Sequence, residues 1–184
     1  MDKVKWLVKK TKTSKLGRFE TVFETLDLEN GKEGYFSFVK FAKVGVCILP
    51  VLDTGQILMI EQYRRPFRDW LYELPAGTVD EGEQPEQTAR RELLEETGCV
   101  TDHMIPCGLF YPSPGSTDER IYLYTAYCHR SEPSKPDKTE HIKAKPIASQ
   151  EIYQLLRENR IYHAAAIILL QRYFLDRADP GESQ

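Results

Sequence analysis

The pattern of hydrophobic and polar positions divides the chain into a β-rich opening third and a longer part in which helices and strands alternate. Residues 18–28 alternate loosely between apolar and polar side chains, and residues 33–41 are rich in aromatic ones. Asn30-Gly31 lies between these segments and favours a tight hairpin turn. Residues 44–52 form a nearly continuous apolar run, which predicts a strand buried on both faces.

The middle of the chain carries one clear helical signal. Residues 56–63 predict the next strand, and residues 64–74 have the composition of a loop. Residues 85–97 then follow a helical pattern, in which Pro85 suits the first helical position and Gly98 suits the position just past the end. We therefore expect a helix with well-defined ends at this place.

The last third of the chain adds further strands and two helices. Residues 107–128 predict two strands joined by a loop, and residues 131–139 predict a polar surface loop. Helices are predicted over residues 149–159, with Ser149 as the cap, and over residues 162–176, where apolar side chains form a stripe. Strands mixed with helices in this way indicate an α/β or α+β sandwich.

Composition and charge exclude several classes of protein. The 184 residues correspond to one domain with at most a small extension, and 41% hydrophobic with 11% aromatic content is enough for a packed core. A net charge of −3 gives no basic excess for a nucleic-acid binder. The longest apolar run is far shorter than the roughly 20 residues of a membrane span. None of the four cysteines forms a CxxC pair, so we expect free thiols and a cytoplasmic location.

Three glutamates share one face of the predicted helix. Glu92, Glu95 and Glu96 stand at positions i, i+3 and i+4, so their carboxylates project together. Like charges at this spacing cost roughly 0.2–0.5 kcal/mol per pair. One interpretation of the pattern is a solvated acidic helix face. The other is a site for a hard divalent cation, which prefers oxygen ligands.

The residues around these glutamates favour the second interpretation. Gly77 is followed after five residues by Glu83 and, after seven more, by the run from Arg91 to Cys99. This segment resembles the Nudix box, G-x5-E-x7-R-E-U-x-E-E-x-G-U, where U is a bulky aliphatic residue. Eight of the nine fixed positions match, and Cys99 at the last aliphatic position is the departure. At average residue usage, such a match arises by chance roughly once in 10⁸ starting positions.

The resemblance implies a Nudix-type α/β/α sandwich with a mixed β-sheet. Residues 43–178 would form the hydrolase domain, and residues 179–184 a frayed tail. Residues 1–42 would form an antiparallel β extension that helps to build a homodimer and lends residues to the partner's site. Three aromatic residues of this extension are candidates for stacking on a nucleobase: Trp6, Phe19 and Tyr35.

The resemblance also assigns a metal site to the box. Glu92 and Glu96 look like the main ligands of Mg²⁺ or Mn²⁺. Glu95 would bridge metals or polarise water, and the backbone carbonyl of Ala76 would be a further ligand. An ion held in this way would neutralise a phosphate substrate and activate a water molecule.

The remaining box residues are expected to support that site. Glu83 and Arg91 can pair, and this pair would orient the helix and its carboxylates, so Arg91 is grouped with the catalytic residues. Gly77 begins a tight loop that brings the backbone close to the metal site, and Gly98 ends the helix.

Motifs before the box resemble those of the ADP-ribose pyrophosphatase branch, which also covers nucleoside diphosphate sugars. In Glu61-Gln62-Tyr63-Arg64 the arginine would contact the diphosphate, for which a planar donor fork is well suited. Glu73-Leu74-Pro75-Ala76-Gly77 is the usual entry to the box in that branch.

Motifs after the box resemble the same branch. In the loop from Ser113 to Glu119, Gly115 and Ser116 would present backbone N–H groups and small side chains to a ribose or phosphate. Glu119 would bind ribose hydroxyls or assist the metal site. Glu140, in a loop before the last strand, would act as general base or position the attacking water.

Taken with the resemblance, these features predict a homodimeric, Mg²⁺-dependent hydrolase of ADP-ribose or a related nucleoside diphosphate sugar. The products would be a nucleoside monophosphate and a sugar phosphate. A preference for GDP- or UDP-hexoses stays open, because a hexose differs from a ribose in the shape of one pocket. A non-catalytic ADP-ribose sensor is an alternative of another class, although all the box glutamates are present. No nucleic-acid or membrane partner is expected.

Overall fold

The computed structural model describes residues 6–17, 19–28, 31–135 and 141–178. The chain divides into two compact units. One unit takes the chain up to residue 43 together with residues 111–120, and the other takes residues 44–110 and the chain from residue 121 onward. The segment 111–120 falls within the range that the sequence assigned to the hydrolase domain.

The first unit is built on a three-stranded antiparallel sheet, β1-β2-β3, with β1 at Leu7–Leu16, β2 at Phe19–Asp27 and β3 at Glu33–Lys40. The last pair in the antiparallel β2–β3 register is Asp27 opposite Glu33, which agrees with the predicted hairpin. Strand β1 was not predicted. Every one of its residues is exposed, so it lacks the alternation that marks a half-buried strand.

The segment 111–120 is hydrogen bonded to β3 within this first unit. The backbone N–H of Val39 donates to the carbonyl of Ser116 at 2.9 Å, and the N–H of Asp118 donates to the carbonyl of Val39 at 3.3 Å. The carboxylate of Asp118 also accepts from the N–H of Phe41 at 2.6 Å. These bonds fix the loop that carries Gly115, Ser116 and Glu119.

The second unit contains a seven-stranded mixed sheet. Its main order is β10-β5-β4-β9-β8, with β6 paired to β5 and β7 paired to β4. The β4–β9 pair is parallel and all the other pairs are antiparallel. The strands are β4 (Gly45–Leu52), β5 (Ile57–Arg64), β6 (Asp69–Glu73), β7 (Ala76–Thr78), β8 (Cys99–Phe110), β9 (Ile121–Arg130) and β10 (Ile142–Ile147).

Three helices cover the two faces of this sheet: α1 (Pro85–Thr97), α2 (Ser149–Arg157) and α3 (Ala164–Ala178). Along β4, Val46 and Ile48 pack on the side of α1, whereas Cys47 and Leu49 pack on the side of α2 and α3. Since successive side chains of a strand point to opposite faces, β4 is buried on both, as predicted. The result is the α/β/α sandwich with a mixed sheet that the family resemblance implied.

Two local predictions are corrected by the structure. Residues 64–74 were expected to be a loop, but they contain β6, a strand of only five residues with a charged residue at each end. Ser149 was expected to cap α2, but Ala148 holds the cap position and Ser149 is the first helical residue. The Ser149 hydroxyl instead donates to the carbonyl of Gly55 at 3.0 Å. Within the described ranges, none of the helices has the length and apolar content to cross a membrane.

Candidate active site

The three glutamates of helix α1 differ in how much of each side chain is exposed to solvent. Pro85 opens the helix, and Gly98 closes it in the left-handed conformation at φ 72°. Glu96 lies on the buried side with 2% of its surface exposed. The side chains of Glu92 and Glu95 are 13% and 44% exposed. The helix therefore buries Glu96 fully and Glu92 for the most part, and extends Glu95 toward solvent.

Glu96 fastens the helix to the backbone that precedes the box. The N–H of Ala76, at the start of β7, donates to Oε2 of Glu96 at 3.1 Å. Strand β7 is in turn paired with β4, where Ala76 lies opposite Cys47. A buried carboxylate needs such a donor because its desolvation is otherwise costly. The carboxylates of α1 and the backbone of β7 are thus held next to each other.

Gly77 allows the closest approach between that backbone and the helix. A Cβ atom built on Gly77 would lie 2.0 Å from Oε1 and 2.1 Å from Cδ of Glu92. The Glu92 carboxylate occupies the position that a side chain on residue 77 would take, so no side chain fits there. The structure thereby gives a physical reason for a glycine here, namely close approach between the loop and the helix.

Arg91 links the carboxylates of the box to one another. Its Nε and Nη2 atoms donate to the two oxygens of Glu83 at 3.2 Å and 3.3 Å, which is the pairing expected from the sequence. Its Nη1 atom donates to Glu92 at 2.8 Å and to Glu95 at 3.0 Å. One guanidinium thus contacts three glutamates and offsets one of their three negative charges. The contacts with Glu92 and Glu95 were not foreseen.

The Glu83 carboxylate is held strongly in its ionised form. The hydrogen bond from Arg91 is the main cause, followed by that from the Thr88 hydroxyl at 2.6 Å. Together they lower the pKa of Glu83 from its ordinary value of 4.5 to about 2. The same contact with Glu83 raises the pKa of Arg91 further above its already high value. The pair is therefore charged over the whole pH range in which an enzyme works.

The donor set around α1 suits a hard divalent cation. Carboxylates of Glu92, Glu95 and Glu96 and the backbone of Ala76 offer oxygen ligands of the kind that Mg²⁺ and Mn²⁺ prefer. In the part of the chain that the structure describes, no three His, Cys, Asp or Glu side chains are already gathered as a metal-binding group. The close packing of the Glu92 carboxylate against Gly77 places carboxylate oxygens next to the backbone of β7, which fits an oxygen-rich site on this face.

Arg64 is held by a buried glutamate that sequence reasoning did not identify as its partner. Its Nε and Nη2 atoms donate to Oε1 and Oε2 of Glu73 at 2.7 Å and 2.6 Å, and the side chain of Glu73 is 4% exposed. In the β5–β6 register Arg64 lies opposite Asp69, which would have been the more obvious partner. Both residues of the pair belong to motifs that the sequence singled out, but nothing local showed that Glu73 is buried.

A cavity of about 740 Å³ opens beside this pair. His163, just before α3, borders the cavity and places its Nδ1 atom 3.6 Å from Oε2 of Glu73. No sequence signal pointed to His163. The cavity is lined by Arg64, Phe67, Asp69, Leu71, Glu73, Tyr162, His163 and Ala164.

The other predicted substrate-binding residues belong to the first unit. Gly115 and Ser116 are exposed in the loop that is bonded to β3. Glu119 is partly buried, and this desolvation raises the pKa of its carboxyl group. The aromatic candidates Trp6, Phe19 and Tyr35 are exposed in the same unit. Glu140, the expected general base, lies outside the described residues.

The chain is similar in sequence and in fold to known proteins. The family described as NUDIX domain matches residues 42–170. ADP-ribose pyrophosphatase of Bacillus subtilis (strain 168) and methanol dehydrogenase activator of Bacillus methanolicus are each 32% identical over 157 residues, 84% of either chain. ADP-ribose pyrophosphatase of Escherichia coli (strain K12) is 34% identical over 131 residues, 66% of this chain and 62% of that protein. A crystal structure of an ADP compounds hydrolase matches the fold with a TM-score of 0.82 at 18% identity, covering 97% of this chain and 98% of that one.

Proposed function

The chain belongs to the NUDIX domain family and is a Nudix hydrolase of the ADP-ribose pyrophosphatase branch, and we propose that it hydrolyses the diphosphate of ADP-ribose or of related nucleoside diphosphate sugars. Water attacks one phosphorus atom, and the bond from that atom to the bridging oxygen breaks. The products are a nucleoside monophosphate and a sugar phosphate, which are AMP and ribose 5-phosphate when ADP-ribose is the substrate.

One observation carries this proposal. The carboxylates of α1 are packed against the backbone at Ala76 and Gly77, with Glu96 bonded to the N–H of Ala76 and Glu92 in the space beside Gly77. The alternative interpretation is an acidic helix face that only contacts solvent. Such a face requires neither a buried glutamate such as Glu96 nor a glycine such as Gly77 that makes room for Glu92. The arrangement is what a phosphate-cleaving site with oxygen ligands needs.

The residues that would hold Mg²⁺ or Mn²⁺ are Glu92, Glu95, Glu96 and the carbonyl of Ala76. A bound ion supplies charge neutralisation for the diphosphate and lowers the pKa of a coordinated water. Arg91 keeps the helix carboxylates and Glu83 in a fixed arrangement. Glu95 is the most exposed of the three and would polarise water.

The chain also supplies groups for the substrate and for proton transfer. Glu140 is proposed as the general base or as the residue that positions the attacking water. Arg64, whose guanidinium is fixed by Glu73, is proposed to contact the diphosphate oxygens. Gly115 and Ser116 are proposed to contact ribose or phosphate, and Glu119 the ribose hydroxyls.

Exposed apolar side chains on the first unit support the proposal of a homodimer. A second copy of the chain that packs on this sheet would remove several of these side chains from water, which favours association. The three strands of this unit expose a set of large apolar residues: Leu7, Val8, Leu16, Phe19, Phe23, Tyr35 and Phe36.

The dimer is tested by the molar mass in solution. Light scattering after gel filtration at micromolar concentration should give twice the mass of the chain. Phe23→Asp should halve it, whereas Leu175→Asp, an exposed leucine on α3, should not. A wild-type monomer would contradict the proposal.

The four cysteines support a reducing compartment. Cys47, Cys99, Cys107 and Cys128 are all free thiols, and three of them are buried. Burial raises the pKa of Cys47 well above its ordinary value, so this thiol is unreactive. Free buried thiols are typical of proteins that stay in a reduced cytoplasm, and we propose that location.

A substrate panel with Mg²⁺ tests the proposed activity. The panel contains ADP-ribose, ADP-glucose, GDP-mannose, UDP-glucose, NADH, diadenosine polyphosphates and nucleoside triphosphates, with phosphate measured after a coupled phosphatase. A dominant ADP-ribose signal, abolished in Glu92→Gln, supports the proposal. Comparable rates on hexose compounds would make the protein a broad nucleoside diphosphate sugar hydrolase. Binding of ADP-ribose without any turnover would indicate a sensor.

A further inference from the structure

His163 stands at a fixed position beside the Arg64–Glu73 pair. Its carbonyl accepts the N–H of Ile167 at 3.0 Å, so its backbone is part of the first turn of α3. That helix is anchored in the core through alanines and leucines that are at most 1% exposed: Ala165, Ala166, Leu169 and Leu170. The backbone of His163 therefore cannot move away from Glu73 without moving the helix.

Arg64, Glu73 and His163 have complementary donors and acceptors, but not every one of these atoms has a hydrogen-bond partner. A carboxylate can accept about four hydrogen bonds, and Arg64 supplies one to each oxygen of Glu73. Nδ1 of His163 is 3.6 Å from Oε2 of Glu73, slightly beyond hydrogen-bond range. Among the described residues it is the one buried side-chain nitrogen or oxygen without a hydrogen-bond partner. Such an atom is rare in a native protein, and here it faces an acceptor.

We propose that His163 is a positioning residue for Arg64: the imidazole steadies the Glu73 carboxylate, and the carboxylate in turn aims the guanidinium at the diphosphate. This inference rests on the proposed function of the site. Arg64 is the member that a ligand can reach, because its side chain is 40% exposed whereas those of His163 and Glu73 are 20% and 4% exposed.

The charge state of His163 decides whether the imidazole stabilises or weakens the Arg64–Glu73 pair. Burial lowers the pKa of His163 from its ordinary value of 6.5; Glu73 on β6 raises it and Arg64 on β5 lowers it. Asp69 and Tyr162 also border the same cavity. The imidazole is therefore neutral near pH 7. When protonated, the imidazolium repels the Arg64 guanidinium and offsets part of the Glu73 charge that holds it.

The test separates positioning from general packing. We would measure KM and kcat for ADP-ribose with Mg²⁺, and the Kd of ADP-ribose without divalent ions by calorimetry, from pH 5.5 to 8.5. The variants are His163→Leu, which removes the donor, His163→Asn, whose amide replaces Nδ1–H, and Arg64→Lys. The matched control is His103→Leu, an exposed histidine on β8 at the other edge of the sheet.

The expected results follow from the loss of the imidazole nitrogen that faces the charged Glu73 carboxylate at 3.6 Å, a contact longer than a hydrogen bond. At pH 7.5, His163→Leu should raise KM and the metal-free Kd about five- to tenfold with kcat within about twofold. His163→Asn should restore both constants. Because the pKa of His163 is lowered, the wild-type KM should stay constant down to pH 6.5 and rise only at more acidic pH, whereas His163→Asn should lack this rise. His103→Leu should match the wild type throughout.

The outcomes distinguish this inference from the function on which it rests. If Arg64→Lys raises KM but His163→Leu does not, His163 is not a positioning residue and the role of Arg64 stands. If neither variant changes KM while ADP-ribose is turned over, Arg64 does not contact the diphosphate and the inference falls with that role. If His163→Leu loses its fold by circular dichroism, the acid rise of KM in the wild type and its absence in His163→Asn decide the matter.

Discussion

Gly77→Ala is the substitution that tests the geometry of the site most directly. The new Cβ would lie 2.0 Å from Oε1, 2.1 Å from Cδ and 2.5 Å from Cγ of Glu92, whereas ordinary contacts between such atoms begin near 3.4 Å. Gly77 is not among the glycines with positive φ, so the backbone itself tolerates alanine. The whole effect should therefore come from displacing the Glu92 side chain by more than an ångström.

The displacement should affect catalysis more than stability. A shift of about 1 Å at a reacting site lowers the rate about a hundredfold, which we expect for kcat/KM on ADP-ribose. Overpacking of this kind costs about 1–3 kcal/mol of unfolding free energy, and the lower half of that range applies because Glu92 is near the surface and can swing outward. Both quantities are measured on the same preparation, by the coupled phosphate assay and by urea denaturation.

The control is a double-mutant cycle with Glu92→Ala, which removes the three atoms that clash. In the Glu92→Ala background, Gly77→Ala should lower the free energy of unfolding by less than about 0.5 kcal/mol. The coupling energy between the two positions should then equal most of the loss that Gly77→Ala causes in the wild type. An equal cost in both backgrounds would refute the steric argument. Near-wild-type turnover of Gly77→Ala would refute the assignment of Glu92 to the reacting site.

Three further predictions concern other residues of the box. Glu83→Gln should flatten the pH dependence of the urea midpoint: the wild type carries the full contribution of Glu83 above pH 4.5 and loses it as the pH falls toward about 2, and an identical dependence in the variant would contradict the pKa shift. Gly98→Ala should lower the unfolding free energy by about 2–5 kcal/mol in chemical denaturation, because the residue has φ 72° and a Cβ would lie 1.9 Å from the Glu132 carbonyl; a loss below about 0.5 kcal/mol would disprove this. Glu96→Gln can keep the bond from Ala76 and should stay folded while kcat falls at least about a hundredfold; turnover near the wild type at saturating Mg²⁺ would exclude a metal-ligand role.

The elements that sequence reasoning predicted well are those with local signals. Helix α1 has a proline at its first position and a left-handed glycine after its last, and the predicted and observed bounds agree. Strand β4 is an apolar run buried on both faces. Strand β1 has no such signal, because it is held by pairing with β2 while all its side chains are exposed. Strand β6 is too short to show a period of two.

The candidate site was predictable to the extent that its contacts are local. The pairing of Glu83 with Arg91 follows from positions eight residues apart around a helix start. The group of Arg64, Glu73 and His163 does not, because it joins two strands to the beginning of the last helix. Which carboxylate becomes buried depends on how that helix packs on the sheet, and no local pattern contains this information.

The sequence of α1 also explains how a cluster of like charges can belong to a stable fold. Three glutamates on one helix face repel one another, and burying Glu96 adds a desolvation cost. Arg91 lies next to Glu92 in the chain and one turn before Glu95, so the same helix that creates the repulsion supplies the cation that offsets it. Ala76 offsets the desolvation of Glu96 with a backbone donor. The same few residues thus arrange the carboxylates of the proposed active site and stabilise the fold. A change at Arg91 would therefore lower both the activity and the free energy of unfolding.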